Sequence, residues 1–384
     1  MAFGLTRFLQ LLVVALTIAG GSAGAALADR GGHQPTLQFL GQQIVPTGTE
    51  FEGTEFGGLS GFAYDERRDV YYALSDDPSQ FDPARFYTLR IGVSGGAPSV
   101  QILGVTTLRD ASGQPFAPLS LDPEGLALTK RGTLVITSEG IANRLIDPWV
   151  REFGLDGREL RALPVPSPFL PVADGSRGVR QNLGFESAGA TPNGSFVFSG
   201  TEAALAQDGP PATLAAGSPA RLLLYNAQNG KLKRQYVYWT DPIAEPPVPA
   251  TAFAVSGLAE LLPLDKRHLL AMERSFSVGA PDTGNTIRLY SVSVARADDV
   301  NGIDTLAPVL DSVRPASKTL VLDLDELGIP LDNVEGMDFG PRLPDGRRSL
   351  VLVSDNNFAP AQFTQFLLFA VSDERGGDRK RGGR

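Results

Sequence analysis

The sequence predicts an all-β fold, a β-propeller built from four-stranded blades, and two observations support it. A short motif of glycine, small and acidic residues recurs five times, at intervals of roughly 60 to 80 residues. Each copy is followed by a turn, and then by a strand-type run that ends next to an acidic residue. A fixed period of this kind is typical of a radial repeat, whereas a large β-sandwich has no reason to repeat. The five motifs lie at 58–62, 124–128, 186–190, 256–260 and 335–339.

Each repeat contains the strands of an antiparallel meander. Second strands are predicted at 70–75, 133–138, 195–199, 268–272 and 349–354. Third strands are predicted at 86–91, 152–155, 222–225, 289–294 and 366–371. Fourth strands follow in the first four units only, at 100–105, 159–165, 233–239 and 319–324.

The last unit lacks its own fourth strand, and an unassigned strand-type run at 36–45 precedes the first unit. We expect this N-terminal strand to complete the last sheet, because closing the ring removes its exposed edges. Five blades are counted, and a sixth, degenerate blade has room in 104–121 or 295–317.

The propeller is predicted as a single domain over 36–371, between two segments of other character. Residues 1–28 follow the order of a signal peptide: Arg7, an apolar run, and then Ala26-Leu27-Ala28. A secreted or periplasmic mature chain beginning near Asp29 is therefore expected. An uncleaved anchor is the alternative, but the apolar run of about 12 residues is shorter than the roughly 20 that span a bilayer. No later stretch predicts an integral membrane segment, and 373–384 predicts a disordered basic tail.

Composition excludes several classes of function. The chain has no cysteine, which rules out a cysteine nucleophile and a cysteine-ligated zinc. A net charge of −9 without a basic stripe argues against nucleic-acid binding. The only histidines are His33 and His268, and neither lies where a catalytic base is needed. The chain has no glycine-rich phosphate loop, so no organic cofactor is expected. Because it has no cysteine and only two histidines, any metal must be oxygen-ligated, as calcium or magnesium is.

Charged residues recur at one end of the predicted blades. In a meander, the start of the first strand, the end of the second and the start of the third meet at the same end of the sheet. We expect an acid and an arginine there to form one structural ion pair per blade, in the four blades that carry the arginine. The second strands end at Asp76, Glu139, Glu202, Glu273 and Asp355, and the third strands follow Arg85, Arg151, Arg221, Arg288 and Gln365.

Three glutamates depart from this repetition. Glu124, Glu186 and Glu335 directly precede the first strands of three units, where the other two units have Gly57 and Ser256. Like charges around one axis raise each other's pKa unless a cation lies among them, and a divalent metal would resolve the conflict. These glutamates are therefore the predicted functional residues. The polar clusters at 76–77 and 355–357 are further candidates for calcium ligation, although such residues also simply favour turns.

The segments 56–61, 71–77, 122–125, 138–140 and 333–336 resemble the phytase-like family described as having esterase-like activity, over roughly 36–371. The resemblance implies a propeller and a calcium-dependent phosphoesterase with a metal-activated water as nucleophile. Catalysis would fall to Glu124, Glu186 and Glu335. The implied metal ligands are Asp76, Glu124, Glu139, Glu186, Glu335 and Asp355. The implied phosphate-holding residues are Arg85, Arg144, Arg274 and Arg288.

The leading hypothesis is thus an exported, calcium-dependent, phosphoesterase-like hydrolase of a small phosphorylated molecule. A non-catalytic propeller that binds a ligand or partner at the same rim is one alternative. A lactonase- or esterase-type propeller with a central calcium is another. Phosphate-binding arginines favour the phosphoesterase, whereas a deep, arginine-poor channel favours the lactonase.

Overall fold

The computed structural model describes residues 35–373. The predicted signal peptide, 1–28, lies outside this range, as does the predicted tail, 373–384, apart from its first residue. Among the described residues, no helix has both the length and the hydrophobicity needed to cross a membrane.

The described chain is built almost entirely from strands. It begins with β1 (Pro35–Pro46), followed by the short hairpin β2 (Glu50–Phe51) and β3 (Thr54–Glu55). Blade one contains β4 (Leu59–Asp65), β5 (Val70–Ser75), β6 (Arg85–Gly92) and β7 (Ser99–Thr107). Blade two contains β8 (Pro123–Leu128), β9 (Leu134–Ser138), β10 (Trp149–Phe153) and β11 (Glu159–Leu163). Blade three contains β12 (Phe185–Ala190), β13 (Phe196–Thr201), β14 (Pro219–Asn226) and β15 (Leu232–Trp239).

Blade four contains β16 (Ala254–Pro263), β17 (His268–Ser277), β18 (Asn285–Ser293) and β19 (Ser317–Asp323). Blade five contains β20 (Asn333–Arg342), β21 (Arg348–Asp355) and β22 (Phe363–Asp373). The helical segments of the described chain are single 3₁₀ turns, at Ala142–Arg144, Ser167–Phe169, Leu310–Ser312 and Leu324–Leu327.

Five four-stranded antiparallel sheets form a closed ring. The innermost strands contact each other in the order β4, β8, β12, β16 and β20, and β20 contacts β4 again. The predicted propeller is confirmed with five blades, and the segments that had room for a sixth add no further sheet to the described chain.

The ring is closed by the N-terminal strand. In blade five the order is β1-β22-β21-β20, with β1 antiparallel to β22. Phe39 is the register partner of Phe369, and their ring centroids lie 5.4 Å apart. The predicted closure by 36–45 is confirmed, and the outer edge of β22 is thereby covered.

The core consists of apolar layers between neighbouring blades. One layer joins blades one and five through Phe62, Tyr71, Val353 and Phe366. Equivalent layers fill the other four gaps around the ring. The central strands are buried on both faces, as the fully buried β5 shows, which explains their continuous apolar sequence.

Candidate functional site

The first hairpin of every blade contains a β-bulge near one end of the central channel. In blade three, Phe185 pairs with Thr201 and Ser187 pairs with Gly200, which leaves Glu186 as the extra residue. A bulge redirects a side chain and is common next to functional sites. The residues at this position, called here the bulge set, are Ser60, Glu124, Glu186, Ala259 and Glu335. Sequence spacing had placed Gly57 and Ser256 in this set, and the strand register corrects both assignments.

A second set follows the bulge on the second strand of each blade. In blade four, Leu258 pairs with Glu273 before the bulge, so the next residue, Arg274, occupies the position at which the other blades carry an acid. The members of this strand-end set are Asp76, Glu139, Glu202, Arg274 and Asp355. The prediction that Glu273 belongs to the set is wrong. Its carboxylate instead accepts a hydrogen bond from Tyr238 at 2.5 Å and pairs with Lys318.

The strand-end set and the three glutamates of the bulge set line one cavity of about 700 Å³ at this end of the channel. All six predicted metal ligands line it, and so does Glu202. Nine carboxylates and one arginine line the cavity within the described chain. Most of these side chains are buried, so their charges lie in a medium that screens poorly.

The carboxylates form three overlapping groups. In each group, one oxygen from each of three side chains lies within 4.8 Å of the other two. Glu124, Glu139 and Glu186 each belong to two groups, so neighbouring groups share ligands. The groups are Asp122-Glu124-Glu139, Glu124-Glu186-Glu335 and Glu139-Glu186-Glu202. Asp122 and Glu202 were not among the predicted ligands, although Asp122 belongs to the 122–125 motif.

Arg274 is the one cation among the residues that line this cavity in the described chain. Its Nη2 atom lies 3.2 Å from Glu335, 3.4 Å from Glu202 and 3.9 Å from Glu186. One positive charge thus faces three carboxylates and leaves most of the negative charge of the cavity uncompensated.

Burial makes ionisation of these acids costly. It raises the pKa of Glu124 and Glu186 well above the usual range. The charge of Glu186 adds to the shift of Glu124, and the charge of Glu202 adds to the shift of Glu186. Burial raises the pKa of Glu335 to about 7, even though Arg274 opposes the shift. Burial, assisted by the charge of Glu335, raises the pKa of Asp355 to about 8. The acids must therefore hold protons or share a cation.

The donor set fits a hard divalent cation. Every ligand atom in the three groups is a carboxylate oxygen, the donor type that calcium and magnesium prefer. One oxygen of Asp76 is buried without a hydrogen-bond partner in the cavity wall, a position that a cation would satisfy.

Comparison with known proteins assigns the family. The family model described as "Phytase-like: Esterase-like activity of phytase" matches residues 54–358. The chain belongs to this phytase-like family. The matched range contains every residue of the bulge set and the strand-end set.

Solved structures similar to this phytase-like chain share little sequence with it. The Dos1 propeller is 8% identical, with 86% of this chain and 74% of that chain covered and a TM-score of 0.35. An endo-arabinase from Bacteroides thetaiotaomicron VPI-5482 is 10% identical, with 89% of this chain and 100% of the endo-arabinase chain covered and a TM-score of 0.41. The tail fibre of Staphylococcus aureus phage P68 is 10% identical, with 88% of this chain and 53% of the tail-fibre chain covered and a TM-score of 0.37. Comparison with curated proteins gives no significant match.

Of the four arginines predicted to hold phosphate, the structure places only Arg274 at the cavity. Arg85 is buried and donates to Asp77 and to the hydroxyl of Tyr87, both at 2.8 Å. Arg144 is exposed and donates to the backbone carbonyl of Leu119. Arg288 pairs with Asp323 at 2.8 Å. These three side chains are engaged elsewhere in the phytase-like fold.

The predicted acid–arginine pair in each of four blades is also wrong. The acids predicted at the ends of the second strands line the cavity, except Glu273, whereas the third-strand arginines pair with acids on other segments. Their partners are Asp77 for Arg85, Glu159 for Arg151, Asp208 for Arg221 and Asp323 for Arg288. Among the clusters considered for calcium, Asp77 is fully buried and accepts hydrogen bonds from Arg85 and from the backbone of its own turn. Asp77 is therefore a turn residue.

Proposed function

We propose that this phytase-like propeller is an exported, calcium-dependent hydrolase of small phosphorylated molecules, with its active site in the acidic cavity. The observation that carries the proposal is the set of three overlapping carboxylate groups, whose members all line one cavity except Asp122. Overlapping groups provide ligands for more than one divalent cation. Two closely spaced cations are typical of enzymes that hydrolyse phosphate esters.

The residues that line the cavity would have different roles in the reaction. Glu124 and Glu186 would hold cations, since each contributes to two of the groups. A divalent cation bound there would polarise the phosphoryl oxygen and lower the pKa of a coordinated water. The phosphate would thus be held by cations, because Arg274 already contacts three carboxylates.

Glu335 is the carboxylate best suited to accept a proton from the attacking water. Asn333 donates to it at 2.9 Å and Arg274 lies 3.2 Å away, so its orientation is fixed from two sides. A pKa raised to about 7 by burial matches the requirement for a base that works near neutral pH.

A lactone or carboxylic-ester hydrolase with one central calcium is the second candidate. The scarcity of arginine favours it, because Arg274 is the one arginine that lines the cavity within the described chain. An uncharged ester also enters an acidic cavity without electrostatic repulsion. The number of bound cations distinguishes the two candidates. A single cation leaves the cavity strongly negative, and such a cavity repels a phosphate ester but not an uncharged ester.

The test is an assay of the chelator-stripped chain on phosphomonoesters and on lactones, with and without added calcium. Calcium-dependent release of phosphate supports the leading proposal, and calcium-dependent lactone opening supports the second. Activity should be lost in Glu186→Gln and retained in Glu273→Gln, whose carboxylate lies outside the cavity. If neither ester class responds to calcium, both enzymatic proposals fail and a ligand-binding propeller takes their place.

Export is proposed from the signal-peptide pattern of residues 1–28. N-terminal sequencing of the protein recovered from the periplasm or medium should give a chain that begins near Asp29. An intact N-terminus in the cytoplasmic fraction would contradict export.

A further inference from the structure

Two phenylalanines are exposed among the described residues, and both lie at the acidic end of the channel. Phe81 is 59% exposed and Phe253 is 63% exposed. Phe81 follows β5 and Phe253 precedes β16, so both belong to loops at the end where the carboxylates converge. Exposed aromatic side chains that border a cavity commonly mark a surface that a ligand covers.

Blade four builds an apolar wall over the carboxylates. Its first hairpin continues for three residue pairs past Arg274, and the outer two pairs are Val255–Phe276 and Ala254–Ser277. Three residues of strand span about 10 Å, so this hairpin rises well above the carboxylates. Val255 and Phe276 line the same cavity as the acids, and so does Phe253.

The wall is held in place by hydrogen bonds. The preceding loop runs along the end of β17, where the hydroxyl of Ser277 donates to the carbonyl of Glu245 at 2.6 Å. The amide of Val278 donates to the carbonyl of Phe253 at 3.0 Å. The rings of Phe253 and Phe276 then lie with their centroids 6.2 Å apart.

A second aromatic pair lies beside Asp76. The ring centroids of Phe81 and Phe358 are 5.1 Å apart. Phe358 and Asp76 both pack against Gly58, where an added Cβ would lie 2.7 Å from the ring and 2.2 Å from Asp76 Oδ1. The lining of the acidic cavity includes the aromatic pair on blade four, whereas this second pair lies outside the lining, next to Asp76.

We infer that the ligand of this cavity is amphipathic: an ester whose anionic group lies on the carboxylate-bound cations, while an aromatic or other apolar group lies against Phe253, Val255 and Phe276. The inference rests on the proposed function for the position of the anionic group. A fully polar phosphorylated polyol would leave the apolar wall uncovered. An apolar wall combined with a few convergent polar groups is the usual composition of a small-molecule site.

Two phosphonates with the same headgroup test the inference, because their carbon–phosphorus bond is not hydrolysed. Binding of methylphosphonate and benzylphosphonate to the full chain is measured by calorimetry in the presence of calcium. Benzylphosphonate should bind at least fivefold more tightly. The double variant Phe253→Ala, Phe276→Ala should abolish this preference and leave methylphosphonate affinity unchanged. Leu160→Ala is the matched control, since Leu160 is 56% exposed on β11 and outside the cavity lining.

Benzyl alcohol, which lacks the phosphonate, separates failure of this inference from failure of the proposed function. If neither phosphonate binds but benzyl alcohol gives a saturation-transfer NMR signal that Phe253→Ala removes, the proposed phosphate site fails and the apolar wall stands. Equal affinity for the two phosphonates, or a preference that survives the double variant, overturns the inference. Absence of binding by all three probes overturns both.

Discussion

Arg274 Nη2 lies 3.2 Å from Glu335 Oε1. In blade four, Arg274 occupies the position at which each of the other four blades carries an acid. The strand-end set therefore contains four carboxylates and one guanidinium. The charge of the Arg274 guanidinium holds the pKa of Glu335 below the value that burial alone would give. Arg274 thus acts as the built-in counter-ion of a cavity that is otherwise acidic.

Replacing this counter-ion should make folding depend on calcium. Arg274→Met leaves buried carboxylates without a partner, and removing one member of a buried ion pair typically costs about 3–5 kcal/mol. We expect a loss of this size in the chelator-treated protein at pH 8, measured by urea unfolding, with much of it recovered on adding calcium. Arg288→Met, which removes an arginine outside the cavity, should respond to calcium as the wild type does. An Arg274→Met variant with a wild-type calcium response would contradict this role.

Glu186 and Glu273 form a matched pair of buried glutamates, one inside the cavity and one outside it. Glu186→Gln removes a ligand shared by two groups and should weaken calcium binding at least tenfold, because a charged donor becomes neutral. Glu273→Gln should lower the melting temperature by weakening the contacts with Tyr238 and Lys318. Its calcium-induced shift in melting temperature should remain that of the wild type. Equal calcium responses in the two variants would show that the cavity is not the calcium site.

Stability of the chelator-treated protein should fall as the pH rises. Burial raises the pKa of Glu335 to about 7 and that of Asp355 to about 8, so both bind protons more strongly in the folded chain than in the unfolded one. Their protonation stabilises the fold fully below about pH 4, and that contribution is lost as the pH rises through about 7 to 8. Melting temperatures measured from pH 5 to 9 should therefore decrease with chelator. Calcium should reduce the decrease, because it favours the ionised carboxylates. A chelated melting temperature that rises over this range would be inconsistent with these shifts.

The bulge in blade two depends on a glycine. A Cβ at Gly125 would lie 2.4 Å from the amide nitrogen of Ala188 and 2.5 Å from the carbonyl carbon of Ser187, both backbone atoms of the neighbouring blade. Gly125→Ala should therefore cost about 1–3 kcal/mol, the usual range for overpacking. Gly104→Ala, in β7 with nothing within 4 Å of the added Cβ, should cost less than about 0.5 kcal/mol. Similar urea-unfolding midpoints for the two variants would contradict close packing of the inner strands.

The sequence predicted the architecture because its signals are local. The repeat period and the strand-type runs define five blades, and the unpartnered run at 36–45 indicates how the ring closes. The same reasoning brought Glu124, Glu186 and Glu335 to one end of the channel, where the structure also places them. Residue spacing within a repeat is enough for this level of detail.

Sequence spacing was not enough to assign Glu273 and Arg274. Adjacent residues of a strand point to opposite faces, so an error of one position exchanges a channel-facing side chain for one that faces away. The bulge at Ala259 sets the register of blade four, and a bulge leaves no unambiguous mark in the sequence. The prediction of acid–arginine pairs was wrong for the same reason. Two side chains at the same end of a sheet can still lie on opposite faces of it.

Calcium binding to the chelator-stripped chain is the most direct test of the acidic cavity as a metal site. Calorimetric titration at pH 7.5, in two buffers of different ionisation enthalpy, should show at least two calcium ions per chain and release of protons from the carboxylates. Glu186→Gln should lose at least one of these ions. Absence of calcium binding at millimolar concentration, or unchanged binding in Glu186→Gln, would contradict the assignment.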